Sequence, residues 1–366
     1  MTTAHSFSAD YQGARARFRE HAKRAGGTLD TLAHPETGPD GCTLSTDIAC
    51  FGDRDAPARL LLISGTHGVE GFCGSGAQID LLRRGEMQRL PAGIGVVMVH
   101  AINPYGFAWR RRVTHENVDL NRNWIDFAAP LPRNPGYDEL AGAIVPRART
   151  PAALSQSAAA LDAYGEKHGQ IELVRALSGG QYAHPEGIFY GGTAPTWSRR
   201  AQESIVSEYL RGAGTVGIID YHTGLGPEGY GEQINTHPRS SADFRRAHAW
   251  YGAALASVAD GTSASAKIAG DGLSAAPALL PGAQVTAMAL EFGTQPLDDV
   301  LEALRSDAWL HAYSDPSGPQ AGAIKRQITE AFYVDRDDWR GMVAGQSLLA
   351  VRQALAALAS AVSPAR

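Results

Sequence analysis

Of 366 residues only three are cysteines, Cys42, Cys50 and Cys73, and none belongs to a CxxC pair. An odd count without paired spacing excludes a disulfide framework and leaves ordinary reduced thiols. No apolar run reaches the ~18 residues a membrane-spanning helix needs. The opening "MTTAHSFSADYQGARARFREHAKR" also lacks the apolar stretch of a secretory signal. A cytoplasmic protein is therefore expected. Charge is sparse too, 19% of residues with a net value of −5 and both signs interspersed, so neither nucleic acid nor an anionic membrane is an expected partner. No GxSxG, SxxK or HExxH pattern occurs, which leaves serine-hydrolase and zincin chemistry without an anchor. "GFCGSG" has too few correctly spaced glycines for a dinucleotide loop, and Cys73 within it has no dedicated base.

What is present is core material. Hydrophobic residues make up 44% of the chain, ample for a large α/β domain. Apolar runs predict strands at 45–52, 59–65, 94–103, 215–222 and 284–293, most of them continuous as in a sheet buried on both faces. Helical patterning predicts 7–25, 74–87, 151–178, 196–212, 241–259, 296–312, 318–331 and 337–361. The strand–helix–strand order favours a mostly parallel sheet with helical cover. Residues 104–150 and the glycine-heavy 223–233 read as loops. Without an internal repeat or a long linker, 1–366 reads as a single domain. Its motif-bearing core covers about 45–312, and the helices of 318–361 pack on that core.

Three of the apolar strands end in residues that can bind metal. "LLLISGTHGVEGF" (60–72) delivers His67 and Glu70, "TVGIIDYH" (215–222) ends in His222, and "QVTAMALEFG" (284–293) carries Glu291. A lone HxxE or a strand-end histidine is more often structural; recurrence on separate strands is what points to a site. Ligands of open α/β sheets bind beyond the carboxyl ends of the strands. Two histidines and a carboxylate with one position left for water form the usual catalytic zinc set. Glu291 is then the candidate base that takes a proton from water. Asp220, two before His222, alternates onto the same strand face and can orient a neighbouring ligand. In "INPYGFAWRRRVTHENVDLNRNWIDF" (102–127), Asn121 and Arg122 can clamp a substrate carboxylate, and one of Arg110, Arg111 or Arg112 can steady an oxyanion. His115, His184 and His237 read as loop residues, and "FYGGTAP" (189–195) as a structural turn.

Taken in order, "GTHGVEG", "NPYG", "RVTHENVDLNRNW", "IDYHTG" and "ALEFGT" resemble the zinc metallocarboxypeptidases of the carboxypeptidase A type. They also resemble the related succinylglutamate desuccinylase and aspartoacylase deacylases. The match spans residues 65 to 294. It implies a three-layer α/β/α sandwich around a mixed, roughly eight-stranded twisted sheet. It implies one Zn2+ per chain on His67, Glu70 and His222, catalysis by Glu291, and carboxylate binding by Asn121 and Arg122. The oxyanion arginine falls in 110–112, with Arg112 favoured by its spacing to "DLNRN" and Arg110 by a "WR" alignment; Arg111 is placed among the substrate-binding residues. The tyrosine expected some twenty residues before the base is missing, since 252–290 contain none; Tyr230 is the candidate replacement. The expected activity is metallocarboxypeptidase-like cleavage of small peptides. The alternatives are deacylation of N-acyl amino acids or amidase action on a peptidoglycan-like fragment, and, in another class, a non-catalytic binding protein. Oligomeric state is left open.

Overall fold

A computed structural model describes residues 2–362. The chain opens with α1 (Tyr11–Arg24), capped by the Asp10 side chain, which accepts from Gly13 N–H. β1 (Thr28–Thr37), β2 (Thr43–Gly52) and β3 (Ala58–Ile63) follow, then α2 (Gly71–Arg83), β4 (Ile94–His100) and the short α3 (Pro104–Ala108). Four helices come next: α4 (Pro135–Ile144), α5 (Pro151–His168), α6 (Gln170–Ser178) and α7 (Trp197–Tyr209). β5 (Thr215–Glu228), β6 (Gly231–Asn235), α8 (Ala242–Tyr251), β7 (Leu255–Ser257), α9 (Gly272–Leu279) and β8 (Gln284–Gly293) complete the sheet. The chain closes with α10 (Leu297–Tyr313), α11 (Ala321–Phe332) and α12 (Asp337–Val362).

The eight strands form one mixed sheet in the order β1-β2-β4-β3-β5-β8-β6-β7. Its centre, β4-β3-β5-β8, is parallel, while β2 joins β4 and β6 joins β8 antiparallel. Every residue of β3 and β4 is buried. Alternation divides them between two cores: Leu60, Leu62, Val96 and Met98 face one, and Leu61, Ile63, Val97 and Val99 face the other. Helices α1, α2, α11 and α12 cover the first face, α7 and α9 the second. This is the expected α/β/α sandwich around a mixed eight-stranded sheet. By length and apolar content α12 is the one helix among the described residues that could cross a membrane. In this fold its Trp339, Val343, Val351 and Leu358 are fully buried in the first core.

Several element expectations need correction. Residues 104–150 hold α3, α4 and a 3-10 turn over Leu120–Arg122 rather than loop alone. The helix expected over 151–178 breaks at Gly169, whose φ of +93° ends α5. The helix expected over 241–259 stops at Tyr251, because Gly252 turns left-handed at φ +82° and β7 follows.

Candidate active site

The central strands β3, β5 and β8 are neighbours and parallel, so their carboxyl ends open on the same edge. His222 on β5 lies directly beside Glu291 on β8 in the register. His67 follows β3 and leads into a 3-10 turn, Gly68–Glu70, that runs on into α2. Two backbone bonds pin the turn: Val69 N–H donates to Arg111 O (2.8 Å) and Gly68 N–H to Arg112 O (3.1 Å). A Cβ on Gly68 would stand 2.0 Å from the carbonyl carbon of Gly106, so only glycine allows this approach.

The ligating atoms of His67, Glu70 and His222 all lie within 4.8 Å of one another, and all three residues are buried. The two Nδ1 atoms are 3.2 Å apart, and Glu70 reaches each of them at 2.9 Å. The opposite nitrogens are each held by a carboxylate. His67 Nε2 meets Asp119 at 3.2 Å, and His222 Nε2 meets Asp220 at 2.9 Å. Asp220 is itself fixed by the Thr66 hydroxyl, which donates at 2.8 Å. With Nε2 of each ring held by a carboxylate, Nδ1 of each faces Glu70, so two ring nitrogens and a carboxylate oxygen converge where a cation can be held.

Charge supports the same fit. Glu70, Asp119, Asp220 and Glu291 are all buried; Arg112 pairs with Glu70 and Asp119, and Arg122 lies 3.9 Å from Asp119. This concentration of buried carboxylates around two imidazoles is the kind of setting a cation relieves. Burial pushes the Glu291 carboxyl up to about 8, reinforced by the charge of Glu70. Burial acts on Glu70 in the same direction, but the charges and hydrogen bonds of His67 and His222 outweigh it and hold that group low.

Arg112 is fixed by two carboxylates, with Nε donating to Asp119 and Nη1 to Glu70 at 2.9 and 3.0 Å. Arg122 donates to the carbonyls of Asn121 (3.0 Å) and Ser178 (2.6 Å), while its buried Nε has no partner. The Asn121 side-chain oxygen accepts from Gly272 N–H (3.2 Å). Both guanidinium groups lie over the Phe189 ring, Arg122 at 5.1 Å and Arg112 at 5.4 Å. Phe189 holds a left-handed φ of +53°, a conformation that costs a non-glycine residue about 1–2 kcal/mol. His67, Arg112, Asn121, Arg122, His222 and Glu291 all border one cavity of about 260 Å³.

Two expected site residues stand elsewhere. Arg111 is spent on a buried ion pair with Asp307 (2.9 Å) and a bond to Asn117, so its guanidinium does not border the cavity. Tyr230 sits 46% exposed on the turn between β5 and β6, also away from the cavity. No tyrosine is among the described residues lining that cavity. Arg110 reaches the Ala9 carbonyl and the Phe72 ring, which leaves Arg112 as the arginine of the cluster that touches the ligand group. Sequence reasoning passed over Asp119 and Phe189. Only the apolar neighbours of Asp119, Val118 and Leu120, hinted that this carboxylate is buried.

The family model described as "Protein of unknown function (DUF2817)" matches residues 7–346. Among curated proteins none matches the sequence. Solved structures do. Carboxypeptidase A from Helicoverpa armigera is similar at 13% identity and a TM-score of 0.53, over 97% of this chain and 74% of that one. Bovine thrombin-activatable fibrinolysis inhibitor, solved with tick carboxypeptidase inhibitor, is 11% identical with a TM-score of 0.51, over 97% and 98%. The succinylglutamate desuccinylase from Chromobacterium violaceum is 14% identical over 82% and 74%, but its TM-score of 0.37 carries no weight. At these identities the likeness is one of fold, and it is the carboxypeptidase A-type fold the motifs resemble.

Proposed function

The chain belongs to the DUF2817 family, and we propose that it is a zinc-dependent hydrolase cleaving an amide bond in a small carboxylate-bearing substrate. The observation that carries this reading is the meeting of His67, Glu70 and His222 within 4.8 Å, beside Glu291. His67, Glu70 and His222 would hold the ion. When bound, zinc lowers the pKa of a coordinated water from about 15.7 to ~7 and polarises a carbonyl.

The chain's own residues supply the rest. Glu291, held at Oε1 by Leu225 N–H (3.1 Å), takes the proton of the attacking water and returns it to the departing amine. Arg112, immobilised by Asp119 and Glu70, is preorganised to stabilise negative charge growing on the carbonyl oxygen. The unpartnered Nε of Arg122 and the amide of Asn121 hold the substrate carboxylate. A pure binding protein has no physical need for a base beside the ligand cluster. Peptidase action on small peptides is the first choice, with N-acyl amino acid deacylation next.

The test is metal analysis with turnover. Purified protein carries about one zinc per chain, His67→Ala loses it, and a chelator abolishes hydrolysis across short peptides and N-acyl amino acids. Glu291→Gln keeps the metal and loses turnover. Unchanged turnover in that variant would remove Glu291 from the chemistry.

A further inference from the structure

One wall of the cavity has no part in the chemistry above. On α10 the residues Leu297, Val300, Leu301 and Leu304 recur at i, i+3, i+4 and i+7, a single stripe of the helix, and all four border the cavity. The inner end of the stripe is core, with Val300 and Leu304 buried; the outer end is open, with Leu297 41% exposed. Phe189, and Val174 of α6, the latter 36% exposed, line the same cavity. An apolar stripe normally ends where its cover ends. Here it runs from the core along an open cavity to the mouth.

The two arginines of the cavity are already committed to protein partners. Arg112 gives Nε and Nη1 to Asp119 and Glu70. Arg122 has both terminal nitrogens on backbone carbonyls, and its buried Nε has no partner. The remaining cation, Lys267, lies exposed on the segment that also brings the buried Asp271 to the cavity. The arginine end of the cavity suits a substrate carboxylate, whereas the α10 lining, Leu297, Val300, Leu301 and Leu304, carries no cation. A second carboxylate, laid on the α10 wall, would lose water without gaining a partner.

We propose that the α10 stripe is a subsite for an uncharged aliphatic group, so that the substrate is a monocarboxylate amide rather than one carrying a second acid. This rests on the hydrolase reading for its reaction, though not for its binding. The aliphatic group is either a fatty acyl chain or a leucine-like side chain, which share the chemistry the wall recognises.

Calorimetry on zinc-loaded Glu291→Gln protein tests this with N-octanoyl-leucine, leucyl-leucine, N-acetyl-leucine and N-succinyl-leucine. The octanoyl or the leucyl compound should bind at least tenfold tighter than the acetyl and succinyl ones, and which of the two leads identifies the source. Leu301→Asp, or Leu297→Asp at the more exposed position, should erase that preference. Equal or tighter binding of the succinyl compound, binding by none, or a preference that survives both substitutions would overturn the subsite. Chelator-sensitive hydrolysis that favours N-succinyl-leucine would sink the subsite and leave the hydrolase standing. Leu301-dependent binding of the octanoyl compound, with no hydrolysis by the unsubstituted protein, would do the reverse.

Discussion

Asp119 touches as many groups of the site as Glu70 does, although no motif gave it a role. It accepts from His67, from Arg112 Nε and from the backbone N–H of Asn121, and it lies 3.9 Å from Arg122. Burial alone would raise its carboxyl, yet Arg112 and Arg122 hold it well below the usual range. One carboxylate thus orients His67, the proposed metal ligand, and fixes Arg112, the proposed oxyanion arginine. Removing such a partner typically costs 10–100-fold in metal affinity. Asp119→Asn should lose zinc affinity by that factor in a competitive chelator titration, and kcat should fall with it. Affinity equal to the unsubstituted protein would mean another group sets the imidazole of His67. Asp220 plays the matching part for His222, and it was legible: alternation puts it on His222's face, where it bonds that ring. Asp119 was not legible, because its partner lies 52 residues earlier and no periodicity links a turn to a strand end.

At the scale of elements, the segment carrying Arg112 is anchored from behind. Arg111 points away from the cavity to Asp307 on α10, which also takes Lys325 of α11 at 2.6 Å. Since Arg111 O receives Val69 N–H, this buried group braces the ligand turn as well. Breaking a buried pair by removing one partner costs about 3–5 kcal/mol, so Asp307→Asn should lower unfolding stability by roughly that amount at neutral pH. Burial opposes the charged Asp307, but Lys325 and Arg111 hold its carboxyl low. Its contribution is therefore full above the ordinary carboxylate range and lost as pH falls through the depressed value. The gap between unsubstituted and Asp307→Asn protein should close on acidification, measured without metal. Burial takes the Lys325 ammonium down to about 8 from 10.5, so stability should rise across that interval, and Lys325→Met should remove the rise. Parallel curves from pH 8 to 10.5 would refute it. The five apolar strands could be read because each is buried. β1 could not: it is an edge strand, mostly exposed, and it contains Pro35. β6 and β7 lie toward the other edge, and both are short. The helices hidden in 104–150 did carry signals, Asn103 and Asn134 as caps followed by Pro104 and Pro135, which the polar composition masked.

The site as a whole exists only in the fold. His67 and His222 stand 155 residues apart, and they meet because adjacent parallel strands end on the same edge. That convergence followed from the strand pattern; the choice among three consecutive arginines did not, because the backbone turns each a different way, with Arg110 at φ +52°. The concentration of buried carboxylates then makes stability a reporter of the site. An acid raised to about 8 on folding from an ordinary value of 4.5 binds a proton that the unfolded chain has released. Metal-free protein should therefore lose stability between those two pH values and hold a constant penalty above them. Glu291→Gln abolishes this penalty, so metal-free variant should melt higher than unsubstituted protein by a margin that widens from pH 5 to pH 8. Zinc at a hundred times its Kd adds about 2.7 kcal/mol and draws the Glu291 carboxyl down, as any adjacent dication must. The margin should shrink in the zinc-loaded pair, and His67→Ala should show no zinc response. A margin independent of pH would separate Glu291 from the charge of Glu70, and a margin indifferent to zinc would separate it from the metal.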